Sequence, residues 1–317
     1  MLRNLAILAF GLLSCVSTVS AQEKYPSRPI EFIVPWGPGG GADQVARKVG
    51  SLLEAHFKTS FPVLNVPGAS GNTGMAKLLA APNDGYALSV FIADTYAQLA
   101  TASPKWKPGD YIPLAIMIRQ PSGFFVRSDG PYKSWNDLVK AAKASPGKLK
   151  VGVTGFGTLD DMTVNYFASK GIKMVSVPYA KPGERYAAVL GGHADVLYEQ
   201  AGDVRAMIDG GKLKPVIFFH TDRIYDVFPD VPASKELGFD IYLPQFRSLI
   251  VRAGTDPAKV KVLADAIEKA ANDPEYYAYL KQQWALRDSF IPGRSAQKFM
   301  DGELAAMRKV AALLPKK

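Results

Sequence analysis

The sequence predicts an α/β protein built as two lobes, and three observations carry that expectation. At 317 residues the chain is about twice the length of an average domain. Short β-like runs alternate with helical patterns, the arrangement of parallel sheets covered by helices on both faces. Three glycine-rich loops, 37–41, 68–74 and 155–158, each join a strand pattern to a helix pattern, where open α/β sheets place their ligands.

The elements follow in order. Residues 30–35 (IEFIVP) form a short apolar strand, and a helix begins near Asp43 with Val45, Val49, Leu52, Leu53 and Phe57 on one face. A strand at 62–66, a glycine turn and a helix at 72–81 precede a third strand at 86–92. Past a proline-rich stretch, 114–118 and 123–126 read as strands, and the helix 134–144 is stopped by Pro146-Gly147. Strand 150–153 runs into GFGTLDD, which opens a helix through Tyr166 and Phe167. Strands at 174–177, 196–198 and 216–219 alternate with helices at 184–190 and 204–209, and beyond Pro257 the chain reads mostly helical.

Composition narrows the class. With 48% hydrophobic and 21% charged residues and a mean hydropathy of -0.01, disorder, collagen, coiled coil and multispan membrane protein all fit poorly. The single cysteine, Cys15, excludes a disulfide framework and a four-cysteine zinc site. His56, His193 and His220 are scattered, so no metal and no cofactor are expected. Arg3, the apolar run 5–13 and the small residues Val19-Ser20-Ala21 make residues 1–21 a signal peptide for export to the periplasm, with Gln22 as the mature start. Lipidation at Cys15 is the alternative reading of the same stretch. The net charge is +9, yet lysine and arginine are spread along the chain with no basic run and no nucleic-acid motif, so nucleic acid is not an expected partner.

Chemistry concentrates in the loops. Glycine lets a backbone approach a ligand, and each helix start presents unpaired N–H groups at the positive end of a dipole, an arrangement suited to a carboxylate. Asp43 and Asn72 serve equally as helix caps, and Asp94, just past the third strand, reads as a cap or a cleft residue. Neither GPGGGA nor GFGTLD completes the dinucleotide fingerprint or a phosphate loop. No nucleophile elbow, no paired histidines on a helix and no cysteine nucleophile occur. Adjacent Asp160 and Asp161 point about 100° apart on a helix and suit its first turn. Trp36, Phe156 and Tyr179 are placed to wall an organic ligand or to pack in the core.

YPSRPIEFIVPWGPGGGADQVAR (25–47), NVPGASGNTGMAKLLAAPNDGYALSV (65–90), VGVTGFGTLDD, VPYAKPGERYAAVLGGHADV and PDVPASKELGF resemble the Bug receptors of tripartite tricarboxylate transporters over nearly the whole mature chain. The resemblance implies a type II periplasmic binding protein: two α/β lobes (22–122 with 244–317, and 123–243) closing on a small organic acid. It implies a monomer that delivers the ligand to membrane transporter subunits and has no catalytic residues; a receptor feeding a signalling kinase or a secreted enzyme are the alternatives. Carried onto this chain, the ligand-binding positions are Trp36, Gly40 and Gly41 in the first loop, and Ala69, Ser70, Gly71, Asn72 and Thr73 in the second. Thr154, Gly157 and Thr158 are those of the third, with Asp94, Tyr179 and Arg247 around them. Arg247 matches an arginine found in part of the family, suited to a second carboxylate or to a structural ion pair. Asp161 stands where the family often has histidine.

Overall fold

Apolar strands pair into two sheets, and burial tracks the sequence pattern closely. The computed structural model describes residues 24–314 apart from 225 and 287, so the predicted leader lies outside the described residues. The first part of the chain runs β1 (Glu31–Val34), α1 (Gly41–Phe57), β2 (Val63–Asn65), α2 (Asn72–Ala80), β3 (Ala87–Ile92), α3 (Ala93–Tyr96), α4 (Gln98–Thr101) and β4 (Tyr111–Gln120). Next come β5 (Ser122–Arg127), α5 (Trp135–Ala144), β6 (Lys150–Val153), α6 (Leu159–Ser169), β7 (Val175–Pro178), α7 (Pro182–Leu190), β8 (Val196–Gln200), α8 (Arg205–Asp209) and β9 (Leu213–Phe218). The chain ends with β10 (Gln245–Arg252), α9 (Pro257–Ala271), α10 (Pro274–Gln282), β11 (Ile291–Pro292) and α11 (Gly293–Ala312).

Six strands form the first sheet in the order β11-β4-β10-β3-β1-β2, and five form the second as β7-β6-β8-β5-β9. The parallel pairing expected from the strand–helix alternation is present in both sheets, but each sheet is mixed. β1 pairs parallel with β2 and β3, while β10 runs antiparallel between β3 and β4. In the second sheet β6, β7 and β8 are parallel and β5 is antiparallel to both β8 and β9. In the first sheet the cause is β10, QFRSLIVR, a strand that the sequence pattern concealed: Gln245, Arg247 and Ser248 break its apolar run, yet all are buried. In the second it is β5, which runs against both of its neighbours.

Two helices fix the first loops. Val45, Val49 and Leu53 of α1 are fully buried against the sheet, the face that their spacing predicted. α2 packs so closely that a Cβ on Gly74 would sit 2.5 Å from Cα of Pro35. The chain crosses from the first sheet to the second with Pro121 alone between β4 and β5, and returns over 219–244 before β10. The ends of β3, β4 and β10 therefore face those of β6 and β8 across one cleft.

Candidate functional site

The first glycine loop ends at Gly40, the N-cap of α1, which supplies no side-chain cap. Asp43 instead reaches back from the first turn to accept from the Gly39 N–H (3.0 Å) and from Asn65 Nδ2 (3.0 Å), and Asn65 also donates to the Trp36 carbonyl (3.0 Å). This lattice stiffens the loop and leaves the α1 start open to the cleft. Into that position comes Arg247 from β10, 2% exposed. Its guanidinium donates to Gln120 Oε1, to Gln200 Oε1 (3.0 Å) and to Asp203 Oδ2. A methyl on Gly41 would overlap both Arg247 Nη2 and Asp203 Oδ2, so only glycine admits the pair there. A guanidinium at the positive end of a helix is unfavourable by itself; the Asp203 carboxylate offsets it.

Gln200 ends β8 of the second sheet and Asp203 lies in the turn just after it, while Arg247 and Gln120 belong to the first sheet, so this is a contact across the cleft. A second crosses nearby. Asp94, in the first turn of α3, accepts from the Leu159 N–H at the start of α6 (3.1 Å) and from Gln245 Nε2. Burial, then the neighbouring Asp160 charge, pushes the Asp94 carboxyl up to about 8. Burial likewise pushes Asp203 up to about 7, with the Arg247 guanidinium pulling the other way. Arg185 of α7 pairs with Glu199 of β8, which also accepts from the Tyr186 hydroxyl (2.9 Å).

The sequence-derived residues divide into two groups. Trp36, Gly40, Gly41, Asp94, Thr154 and Arg247 line a central void of about 30 Å³ between the sheets, room for water. Ala69, Ser70, Gly71, Asn72 and Thr73 of the second loop do not border it. Ala69, Ser70 and Gly71 all take positive φ (47°, 54° and 88°), uncommon for the first two residues, and the loop meets the third one through Ser70 Oγ and the Phe156 carbonyl (3.4 Å). Gln98 and Thr101 add bonds to the carbonyls of Phe156 and Gly157 (3.2 and 2.7 Å).

The third loop is largely occupied by its own acids. The Thr154 N–H and hydroxyl and the Thr158 hydroxyl all donate to Asp160, and the Gly157 N–H donates to Asp161 (2.9 Å). Burial raises the Asp160 carboxyl above the ordinary range. Tyr179 is half-buried, its N–H bonded to the Val153 carbonyl (2.8 Å), and it lies off the central void. Sequence reasoning missed Arg185, Glu199, Gln200, Asp203 and Gln245. Arg185 lies inside the motif VPYAKPGERYAAVLGGHADV without standing out there. No motif carries the other four, and the one available signal was a polar pair, Glu199-Gln200, closing an otherwise apolar strand.

Two facing α/β sheets with polar side chains converging between them define a periplasmic binding protein fold. Residues 45–307 match the model of the "Tripartite tricarboxylate transporter family receptor" (TctC), and the chain belongs to that family of solute-binding receptors. It is 31% identical over 276 residues to the "UPF0065 protein in gbd 5'region" of Cupriavidus necator, spanning 86% of this chain and 83% of the relative. A TctC solute binding protein from Polaromonas, solved without ligand, is 31% identical with a TM-score of 0.63, over 92% of this chain and 100% of that one. MatC from Rhodopseudomonas palustris with bound malate shares the fold at 22% identity and a TM-score of 0.83, over 90% of this chain and 100% of that one. Among the described residues no helix is long and apolar enough to cross a membrane.

Proposed function

We propose that this receptor works in the periplasm, exported by residues 1–21, where it captures one small carboxylated organic molecule in the cleft. It hands that molecule, as a monomer, to the membrane subunits of a tripartite transporter. The observation that supports this reading is Arg247, a buried guanidinium placed at the start of α1 where both sheets end. Trp36 lies beside it as an apolar wall with a polar edge. A ligand that bridges the sheets stabilises the closed arrangement by its difference in affinity for the open and closed forms, and the membrane partner reads the closure.

A melting-shift screen of carboxylic acids on the purified protein tests this. One acid at a hundredfold excess over its Kd should add about 2.7 kcal/mol of stability, with a Kd at or below about 1 μM, equivalent to about 8 kcal/mol. R247A should abolish the shift. No response to any acid, or a shift that persists unchanged in R247A, contradicts the proposal.

A further inference from the structure

Among the described residues, the cleft holds four carboxyl groups (Asp94, Asp160, Glu199, Asp203) and two guanidiniums, Arg185 and Arg247. Each guanidinium already has an acid: Arg185 has Glu199, and Arg247 has Asp203. A ligand carboxylate that reaches Arg247 therefore meets a site already neutralised, and it arrives with Asp203 close by. The Asp203 side chain is 1% exposed. Its Oδ2 is bonded to Arg247 while Oδ1 has no partner among the described residues, and Trp36 Nε1, Arg185 Nε and Arg247 Nε are equally buried and unpartnered. All four residues line the same central void. That void is too small for an organic acid, so the sheets must part to admit one, and Asp203 then leaves Arg247 because the two sit on opposite sides of the cleft.

Resting on the receptor reading above, we infer that Asp203 determines specificity and reserves the cleft for a zwitterion, a small molecule with an ammonium group beside its carboxylate. Such a ligand inserts into the ion pair with every charge kept: its carboxylate meets Arg247 with the Trp36 indole N–H, and its ammonium meets Asp203. A ligand with carboxylates alone leaves Asp203 facing a like charge in a buried site, and an uncompensated buried charge is strongly disfavoured. The three unpartnered N–H groups and the one unpartnered carboxylate oxygen match that pattern of three donors and one acceptor.

The test is calorimetric titration of the wild-type protein and of D203N with matched pairs that differ only in the ammonium: aspartate and succinate, glutamate and glutarate, alanine and propionate. Wild type should bind the amino member of at least one pair tenfold or more tightly than its partner, and D203N should lose or reverse that preference. Binding by wild type in which no amino member of any pair is preferred tenfold over its acid, or a preference that survives intact in D203N, overturns the zwitterion inference and leaves the carboxylate receptor standing. If D203N does not fold, D203S carries the same comparison. Binding that persists in R247A fails the underlying receptor reading whatever the Asp203 variants do, and silence from every compound with wild type overturns the inference along with it.

Discussion

Arg185 and Glu199 form an ion pair with 4% and 6% of their side chains exposed, wholly within the second sheet and its helices. Removing one partner strands the other charge, which typically costs about 3–5 kcal/mol. R185M should accordingly lower unfolding stability in urea by that amount, and R185M/E199L should recover most of it; a loss below about 1 kcal/mol in the single variant would contradict the pairing. Gly40 presents a different case. A Cβ there would lie 2.6 Å from Pro182 Cγ on the facing side of the cleft. Gly40→Val should wedge the sheets apart and weaken ligand binding about tenfold or more, read by calorimetry, with the urea midpoint little changed. At this scale Trp36, Gly40 and Arg247 were legible because turn chemistry and family likeness mark them. Asp203 was not, because an acid after Ala-Gly reads as an ordinary turn residue until the sheets bring it to Arg247.

Among the elements, α1 and α6 announce themselves through glycine-rich starts and spaced apolar residues, whereas β10 stays hidden. Its Gln245 and Arg247 face the cleft, and only the pairing with β3 and β4 reveals a strand. That omission made the first sheet look parallel, while in the second β5 was legible as a strand but its direction was not. The third loop teaches the opposite lesson: its open-looking amides are satisfied by Asp160 and Asp161, so a glycine-rich helix start is no guarantee of a vacant anion site. The close contact of α2 on Pro35 gives a further expectation. Gly74→Ala should destabilise the protein by about 1–3 kcal/mol, the usual cost of overpacking, measured as a lower urea midpoint at unchanged slope.

For the molecule as a whole, buried carboxyl groups tie stability to pH. Asp94 titrates near the ordinary carboxyl value of about 3.9 when unfolded and near 8 in the fold. Between those values the folded state holds a proton that the unfolded state has released. This contribution is full below the lower value and is lost as pH rises through the upper one. Burial raises Asp203 and Glu303 in the same direction, each to about 7. Unfolding free energy should therefore fall between about pH 4 and pH 8, and D94N should flatten part of that slope; a contribution from Asp94 that rises with pH over this range would contradict the assignment. The two-lobed α/β plan was readable from alternation and length. The closure was not, because it depends on contacts between residues about 45 to 65 positions apart.

Pro121 is the sole residue between β4 and β5, and its neighbours Gln120 and Ser122 are locked into opposite sheets by pairing with Gln245 and Gln200. So short a tether permits swinging but no sliding. Points next to it travel least and those at the rim travel furthest, as on a door. The Gln120, Gln200 and Arg247 cluster sits by the hinge post, and the touch of Ser70 on Phe156 marks the latch edge. On the proposed reading a solute would enter past the wide-moving lip and be gripped where the swing is smallest, and slight rotations there would be magnified into a large change of outline at the rim.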